Sequence, residues 1–464
     1  MRLFFLFTIA TTVAVCLVTG QSYLQPEQVH LSYAGDPSLM YVTWVTFDNT
    51  TNSFVDYGIK KLTNRTNGTM TKFVDGGSAK RTLYIHRVLL TNLTASQTYI
   101  YRVGSDYGWS VIFYFTAYPS TQSWQPRFAL YGDMGNVNAQ SLGRLQTEAQ
   151  LGHFDMVLHV GDMAYNLDTN DAKYGDQFLR QIEPIAAYVP YMTVVGNHEN
   201  AYNFSNYVNR FTMPGGVANL FYSFDLGPVH FIAFSTEFYF YVNYGWAQIA
   251  TQYQWLIDDL KKANANRAKV PWIVTMAHRP MYCSDADQDD CTKFESVIRG
   301  GLPYIHAYGL EELFYKYGVD LELWAHEHSY ERMWPLYNRT VFNGSSNPYV
   351  DPCAPVHIVA GAAGCQEKTD PFVPHPGPWS AFRSSDYGFG RMRILNTTHL
   401  YYEEVSDDKN GTIIDSFTLI RTKHEPYNPS VCGHGAGHLV PLDWKPPGRK
   451  RRKNMKIHRS SVGL

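Results

Sequence analysis

Five short apolar runs in this chain end in residues that can hold a metal ion. Phe128 to Tyr131 leads into Gly132-Asp133-Met134-Gly135, and Met156 to Val160 into Gly161-Asp162-Met163-Ala164-Tyr165. Tyr191 to Val195 leads into Gly196-Asn197-His198-Glu199, Ile273 to Thr275 toward His278, and Leu321 to Trp324 into His326-Glu327-His328. Asp133 and Asp162 offer carboxylate oxygens, Tyr165 a phenol, Asn197 an amide oxygen, and His278, His326 and His328 imidazole nitrogens. That mixture exceeds what one ion requires and suits two. Two ions about 3.5–4 Å apart can clamp the attacking and leaving oxygens of an in-line displacement. One carboxylate would bridge them, and Asp162, in the longer Gly-Asp-x-x-Tyr motif, is the better candidate. Taken singly, each motif has a bland reading. A Gly-Asp after a strand is usually a turn, a His-x-His can be a satisfied pair, and Tyr165 is one of 34 tyrosines. The weight lies in the ordered set.

Such motifs need elements to carry them. From Arg127 onward, apolar runs alternate with helix-like stretches such as Gln252 to Lys262. That alternation predicts an α/β layered domain over 127–425. In an open α/β sheet, ligands collect beyond the carboxyl ends of the strands, where all five motifs lie. Residues 22–118 read differently, as short alternating strands with turn residues between them, an all-β sandwich. Residues 118–126 read as a linker, and 432–464 as a basic, flexible tail.

A length of 464 residues suggests two to three domains at roughly 150 residues each, and 45% hydrophobic residues exclude disorder throughout. The net charge of −2 argues for no nucleic-acid partner. It is a sum of two parts: Lys445 to Leu464 carries eight basic residues and no acid, so the remainder has ten more acids than bases. Residues 1–20 have the layout of a secretory signal peptide, too short for a membrane span. Nine glycosylation triplets, at Asn49, Asn64, Asn67, Asn92, Asn203, Asn338, Asn343, Asn396 and Asn410, agree with a secreted or lysosomal route. With Cys16 lost, five cysteines remain. Cys283–Cys291 is the favoured disulfide bond, Cys353 has Cys365 or Cys432 as partner, and an odd thiol is left.

The motif set resembles that of the purple acid phosphatases, within the calcineurin-like metallophosphoesterases. The narrower resemblance is to the long, plant-like animal form with an N-terminal fibronectin type III-like sandwich, and it covers residues 22 to about 425. The family pattern is Asp-x-Gly, Gly-Asp-x-x-Tyr, Gly-Asn-His-Asp/Glu, Val-x-x-His and Gly-His-x-His, and Tyr165 discriminates, because most metallophosphoesterases lack a phenol there. The resemblance implies a catalytic β-sandwich flanked by helices. It implies that Asp133, Tyr165 and His328 join Asp162 around Fe(III), and that Asn197, His278 and His326 join Asp162 around a divalent metal: zinc, iron or manganese. Hard phenolate and carboxylate donors do suit a trivalent ion. Charge transfer from the phenolate would give a purple colour. His198 would contact substrate and protonate the leaving alkoxide.

The chain departs from the pattern in three places. Val274 lies four residues before His278, and Ala325 replaces the Gly of Gly-His-x-His. Where some plant members carry a phosphate-binding His pair, this chain reads Asp287-Gln288, in an acidic loop with Asp285, Asp289 and Asp290. Arg279 and His306 are weaker candidates for substrate binding there. His159 reads as core or a neighbour of the ligands, and His357 and His375 have no motif behind them. The expectation is an acid phosphatase acting on phosphate monoesters, with a metal-bound hydroxide as nucleophile. Nucleotide or diester hydrolysis at the same site, iron-based peroxidation, or an inactive secreted metal-binding protein are the alternatives. A homodimer is left open.

Overall fold

Side-chain alternation builds the first unit. In Thr98–Ser105 and Phe113–Thr116, Tyr99, Tyr101, Val103, Phe113 and Phe115 point inward, while Thr98, Tyr114 and Thr116 are exposed. The computed structural model describes residues 23–215 and 219–427, with the backbone of 438–439. One sheet runs Glu27–Tyr33, Met40–Thr46, Thr82–Leu90, Thr69–Val74. The facing sheet runs Asn64–Asn67, Phe54–Gly58, Thr98–Ser105, Gly108–Trp109, with Phe113–Thr116 also on Thr98–Ser105. Val42, Trp44, Tyr101 and Phe115 fill the space between them. The signal segment 1–20, Cys432 and the tail 432–464 lie outside the described residues, apart from the backbone of His438–Leu439, which pairs with Thr340–Val341.

The second unit is two sheets face to face. The six-stranded sheet runs Tyr191–Val194, Met156–Val160, Arg127–Tyr131, Gly388–Ile394, His399–Ser406, Thr412–Ile420, the first three parallel. The seven-stranded sheet runs Tyr222–Leu226, Val229–Ala233, Trp272–Met276, Leu321–Trp324, Val356–Ala360, Tyr330–Met333, Ser380–Ser384. Met156–Val160 and Trp272–Met276 are buried at every position, which is why they read as unbroken apolar runs. Phe128 of one sheet meets Phe231 of the other with ring centroids 5.0 Å apart. Helix Thr169–Ala186 covers the first sheet, Phe178 against His159, and helix Glu311–Tyr317 the second, Phe314 against Phe234.

The catalytic β-sandwich flanked by helices that the resemblance implies is what the structure shows, and the five motif strands divide between its two sheets. The strands before Asp133, Asp162 and Asn197 belong to the six-stranded sheet, and those before His278 and His326 to the seven-stranded one. Periodicity identifies a buried strand and says nothing of which sheet it joins. The two units are bound together by polar contacts: Tyr101 Oη donates to the Ala187 carbonyl at 2.6 Å, and the Val29 amide to Glu183 Oε2 at 2.8 Å.

Cys283 and Cys291 form a disulfide with Cα atoms 5.3 Å apart. Cys353 is disulfide-bonded and Cys365 is free and buried, so the Cys353–Cys365 alternative is excluded.

Candidate metal centre

The seven donors converge at one end of the sandwich in two groups, which meet where His278 Nε2 lies 4.0 Å from Asp133 Oδ1. In the first group the Tyr165 hydroxyl donates to Asp133 Oδ1 at 2.9 Å and lies 2.8 Å from His328 Nε2. His328 Nδ1 is 2.8 Å from the Lys368 carbonyl, an arrangement that leaves Nε2 free toward the cluster. In the second group His278 Nε2 lies 3.1 Å from Asp162 Oδ2, 3.2 Å from Asn197 Oδ1 and 3.3 Å from His326 Nδ1. His278 Nδ1 is fixed by the Val160 carbonyl at 2.8 Å. Asp162, His278 and His326 can all place a donor atom within 4.8 Å of one another.

The backbone at these positions is strained. Asp133, Asp162, Tyr165 and His326 all have left-handed φ, between 50° and 71°. Each costs about 1–3 kcal/mol and persists only where its surroundings over-determine it. Those surroundings are visible. Asp133 Oδ2 accepts the His326 amide at 2.9 Å, and Asp162 Oδ1 accepts the His198 amide at 2.8 Å. Glu199, to which sequence reasoning assigned no role, accepts the amides of Asp162, Met163 and Gly196, each at 2.9 Å. One buried carboxylate thereby ties the Gly-Asp and Gly-Asn-His turns together. The turns require glycine for space: a Cβ on Gly196 would stand 2.1 Å from Asp162 Oδ1.

The electrostatics favour cations. Burial opposes a charge on His278, yet the Asp162 and Asp133 carboxylates outweigh it and push its pKa up to about 10. His328 is raised still further against the same burial, chiefly by Asp133 and Cys365. Burial, with the charges of Asp133 and Asp162, pushes the Tyr165 phenol well up. A phenol so placed ionises only against a strong positive charge. Burial and the nearby Asp162 charge push the Glu199 carboxyl up, against the Met163 and Gly196 amides that favour its ionised form.

His198 sits at the mouth. Its ring lies over Tyr165 with centroids 4.1 Å apart, Nδ1 is hydrogen-bonded to Asn166 Oδ1, and Nε2 is 3.9 Å from Asp162 Oδ2. Arg279 is drawn into a network: Nε bonds Glu237, Nη1 bonds Asp289 at 2.9 Å and lies 2.8 Å from His326 Nε2, and Phe240 underlies the guanidinium at 4.4 Å. His326 Nε2 is also 2.5 Å from Asp289 Oδ2. The acidic loop therefore reaches the centre through Asp289, a residue that the sequence showed only as one acid among four. His306 lines a different pocket, with Arg299 and Arg339. His159 is buried in the core with Nδ1 2.7 Å from Tyr191 Oη, and His357 is buried against Trp324.

Family models match residues 26–117 (Purple acid Phosphatase, N-terminal domain), 126–330 (Calcineurin-like phosphoesterase) and 354–416 (Iron/zinc purple acid phosphatase-like protein C). The chain is 55% identical over 411 residues to Acid phosphatase type 7 of Danio rerio, covering 87% of this chain and 93% of that protein. It is 29% identical over 428 residues to the Fe(3+)-Zn(2+) purple acid phosphatase 12 of Arabidopsis thaliana, covering 85% and 84% respectively. A solved purple acid phosphatase from yellow lupin (Lupinus luteus) seeds superposes with a TM-score of 0.73 at 26% identity, over 90% of this chain and 78% of that one.

Proposed function

The chain belongs to the purple acid phosphatase family, and from that premise we propose that it is an acid phosphatase hydrolysing phosphate monoesters at a dinuclear Fe(III)–M(II) centre. The observation that carries this reading is the Tyr165 hydroxyl set between Asp133 at 2.9 Å and His328 at 2.8 Å, with His278 Nε2 3.1 Å from Asp162 Oδ2 beside it. Phenol, carboxylate and one imidazole suit a trivalent ion; amide and two imidazoles suit zinc, iron or manganese in the divalent state. Asp133, Tyr165, His328 and Asp162 would hold the first, and Asn197, His278, His326 and Asp162 the second. Bound there, the ions would supply Lewis acidity toward phosphate oxygens and a lowered pKa for water.

The protein's own groups do the rest. The Glu199 carboxylate and the carbonyls of Val160 and Lys368 orient the donors. With Nδ1 engaged by Asn166, His198 presents Nε2 at the mouth, where it would hand a proton to the departing alcohol oxygen. Arg279 would meet the substrate phosphate from the divalent side. We assign 22–118 to the sandwich and 127–425 to the catalytic unit, a division supported by the extents of the family-model matches. Eight of the nine triplet asparagines are exposed and Asn343 is half-buried, which supports a secreted or lysosomal glycoprotein. Among the described residues no helix is long and apolar enough to cross a membrane.

Metal analysis with a visible spectrum and a substrate panel at acidic and neutral pH tests the reading. Iron with a second divalent metal, a purple colour and faster turnover of monoesters than of diesters are expected. A colourless mononuclear zinc protein would overturn it.

A further inference from the structure

Five strand ends carry the candidate metal donors, and a sixth comes to the same rim. Val229–Ala233 runs parallel to Trp272–Met276, with Ala233 paired to Met276, so the residues after it lie beside those leading to His278. Phe234 to Thr236 follow, and then Glu237, which is fully buried. No motif marks this end. It holds a carboxylate that belongs to neither group of donors.

The contacts of Glu237 converge on one neighbour. Arg279 Nε donates to both Glu237 oxygens, at 3.1 and 3.0 Å, and the Thr236 hydroxyl donates to Oε1 at 3.3 Å. The same Thr236 oxygen accepts the Arg279 amide at 2.9 Å. Residues 236 and 237 thus hold Arg279 by its backbone and by its side chain. Phe240, whose amide bonds the Glu237 carbonyl at 3.0 Å, lies under the guanidinium. Nη1 is taken by Asp289 and reaches His326 Nε2. Nη2 makes no hydrogen bond among the described residues and is not enclosed, on a side chain 12% exposed. A guanidinium fixed through Nε and Nη1 therefore keeps one donor group open beside the residues proposed for the divalent ion. Glu237 and Asp289 offset its charge, so what it offers an oxyanion is direction. A donor already immobilised loses little freedom on binding.

We propose that Glu237 is a positioning residue for substrate phosphate: it holds Arg279 so that Nη2 meets a non-bridging oxygen of the phosphoryl group at the centre. This rests on the reading of the centre as a phosphate site. Glu237 bonds none of the seven candidate donors, and its effect passes through Arg279. Released from this grip, the long arginine side chain would regain its rotamers and lose them again at each binding event.

Glu237→Gln keeps the shape of the side chain and removes its charge. In the metal-loaded protein it should raise KM for a phosphate monoester and the dissociation constant for inorganic phosphate together, by about 10-fold, as for one lost hydrogen bond to a charged group. kcat should change far less, and iron, second metal and visible band should be retained. In an Arg279→Gln background the same substitution should add nothing further. Parental KM and phosphate affinity in Glu237→Gln would overturn the proposal. So would an undiminished effect when Arg279 is already replaced, or loss of the second metal. Phosphate affinity is read by equilibrium dialysis, so a parent that binds phosphate without hydrolysing monoesters fails the reading of the reaction and still tests Glu237. If Glu237→Gln does not fold, Glu237→Asp, which withdraws the carboxylate by one methylene, decides alone: weaker phosphate binding supports the grip, and unchanged binding overturns it.

Discussion

His326 divides its ring between two tasks: Nε2 lies 2.5 Å from Asp289 Oδ2, while Nδ1 faces His278 Nε2 at 3.3 Å. A carboxylate on one nitrogen fixes the tautomer and orientation of the other, the arrangement seen behind metal-binding histidines. Asp289 is in turn held by Arg279 at 2.9 Å, and its loop is closed by the Cys283–Cys291 disulfide. Burial resists the charge on Asp289, but the hydrogen bond and charge of His326, with Arg279, pull its carboxyl well below the usual range.

Asp289→Asn should therefore weaken retention of the divalent ion by about 10–100-fold while the iron stays in place. Metal content after dialysis against graded chelator reads this directly. Equal loss of both ions would contradict a role confined to His326.

The proposed halves of the centre should also separate by ligand. His328→Ala should lose iron, colour and turnover together. His326→Ala should keep the iron and its visible band and lose the second metal with most of the turnover. Absorption spectra and metal-to-protein ratios of the two purified variants check the assignment.

Glu199→Gln exchanges a carboxylate that accepts three amides for a group with only one acceptor oxygen. Stranding buried donors costs about 1–3 kcal/mol. Denaturant unfolding should show a loss in that range, and turnover should fall because Asp162 and Asn197 are no longer held in common register. Unchanged stability would show that the turns stand without this tie.

His230 provides a pH signature remote from the metals. It lies between Asp225 at 2.6 Å and Asp259 at 3.0 Å. Burial disfavours its charge, yet the two carboxylates prevail and push its pKa up to about 9, against about 6.5 for a free histidine. A raised folded-state pKa stabilises fully below the unfolded value and is lost as pH rises through the folded one. The gap in melting temperature between the parent and His230→Gln should be widest in mildly acidic solution and close above about pH 9. A gap independent of pH would assign the stabilisation to packing instead.

Much of this protein was readable from its chain. Buried parallel strands announce themselves as apolar runs with polar residues at their ends, so Asp133, Asp162, Tyr165, Asn197, His278, His326 and His328 could be named as candidate donors without coordinates, and the structure brings them together. The tyrosine was the residue that narrowed the family. What escaped is what depends on partners distant in sequence. Nothing in the run Trp272–Met276 says that it joins Leu321–Trp324 and not Met156–Val160. Asp289 looked like loop charge because its partner lies 37 residues away, and Glu199 was visible only as the last letter of a motif.

The division of the donors between two sheets has a consequence for how the protein comes into being. Asp133, Asp162, Tyr165 and Asn197 are made early in the chain and belong with the first sheet, while His278, His326 and His328 belong with the second. Neither half alone gathers a full set around either proposed ion. Tight metal uptake must then wait until the sheets have closed on each other, and the arriving ions would act as rivets across the seam. Colour in a refolding solution would report the closure of the sandwich, later than collapse and later than secondary structure.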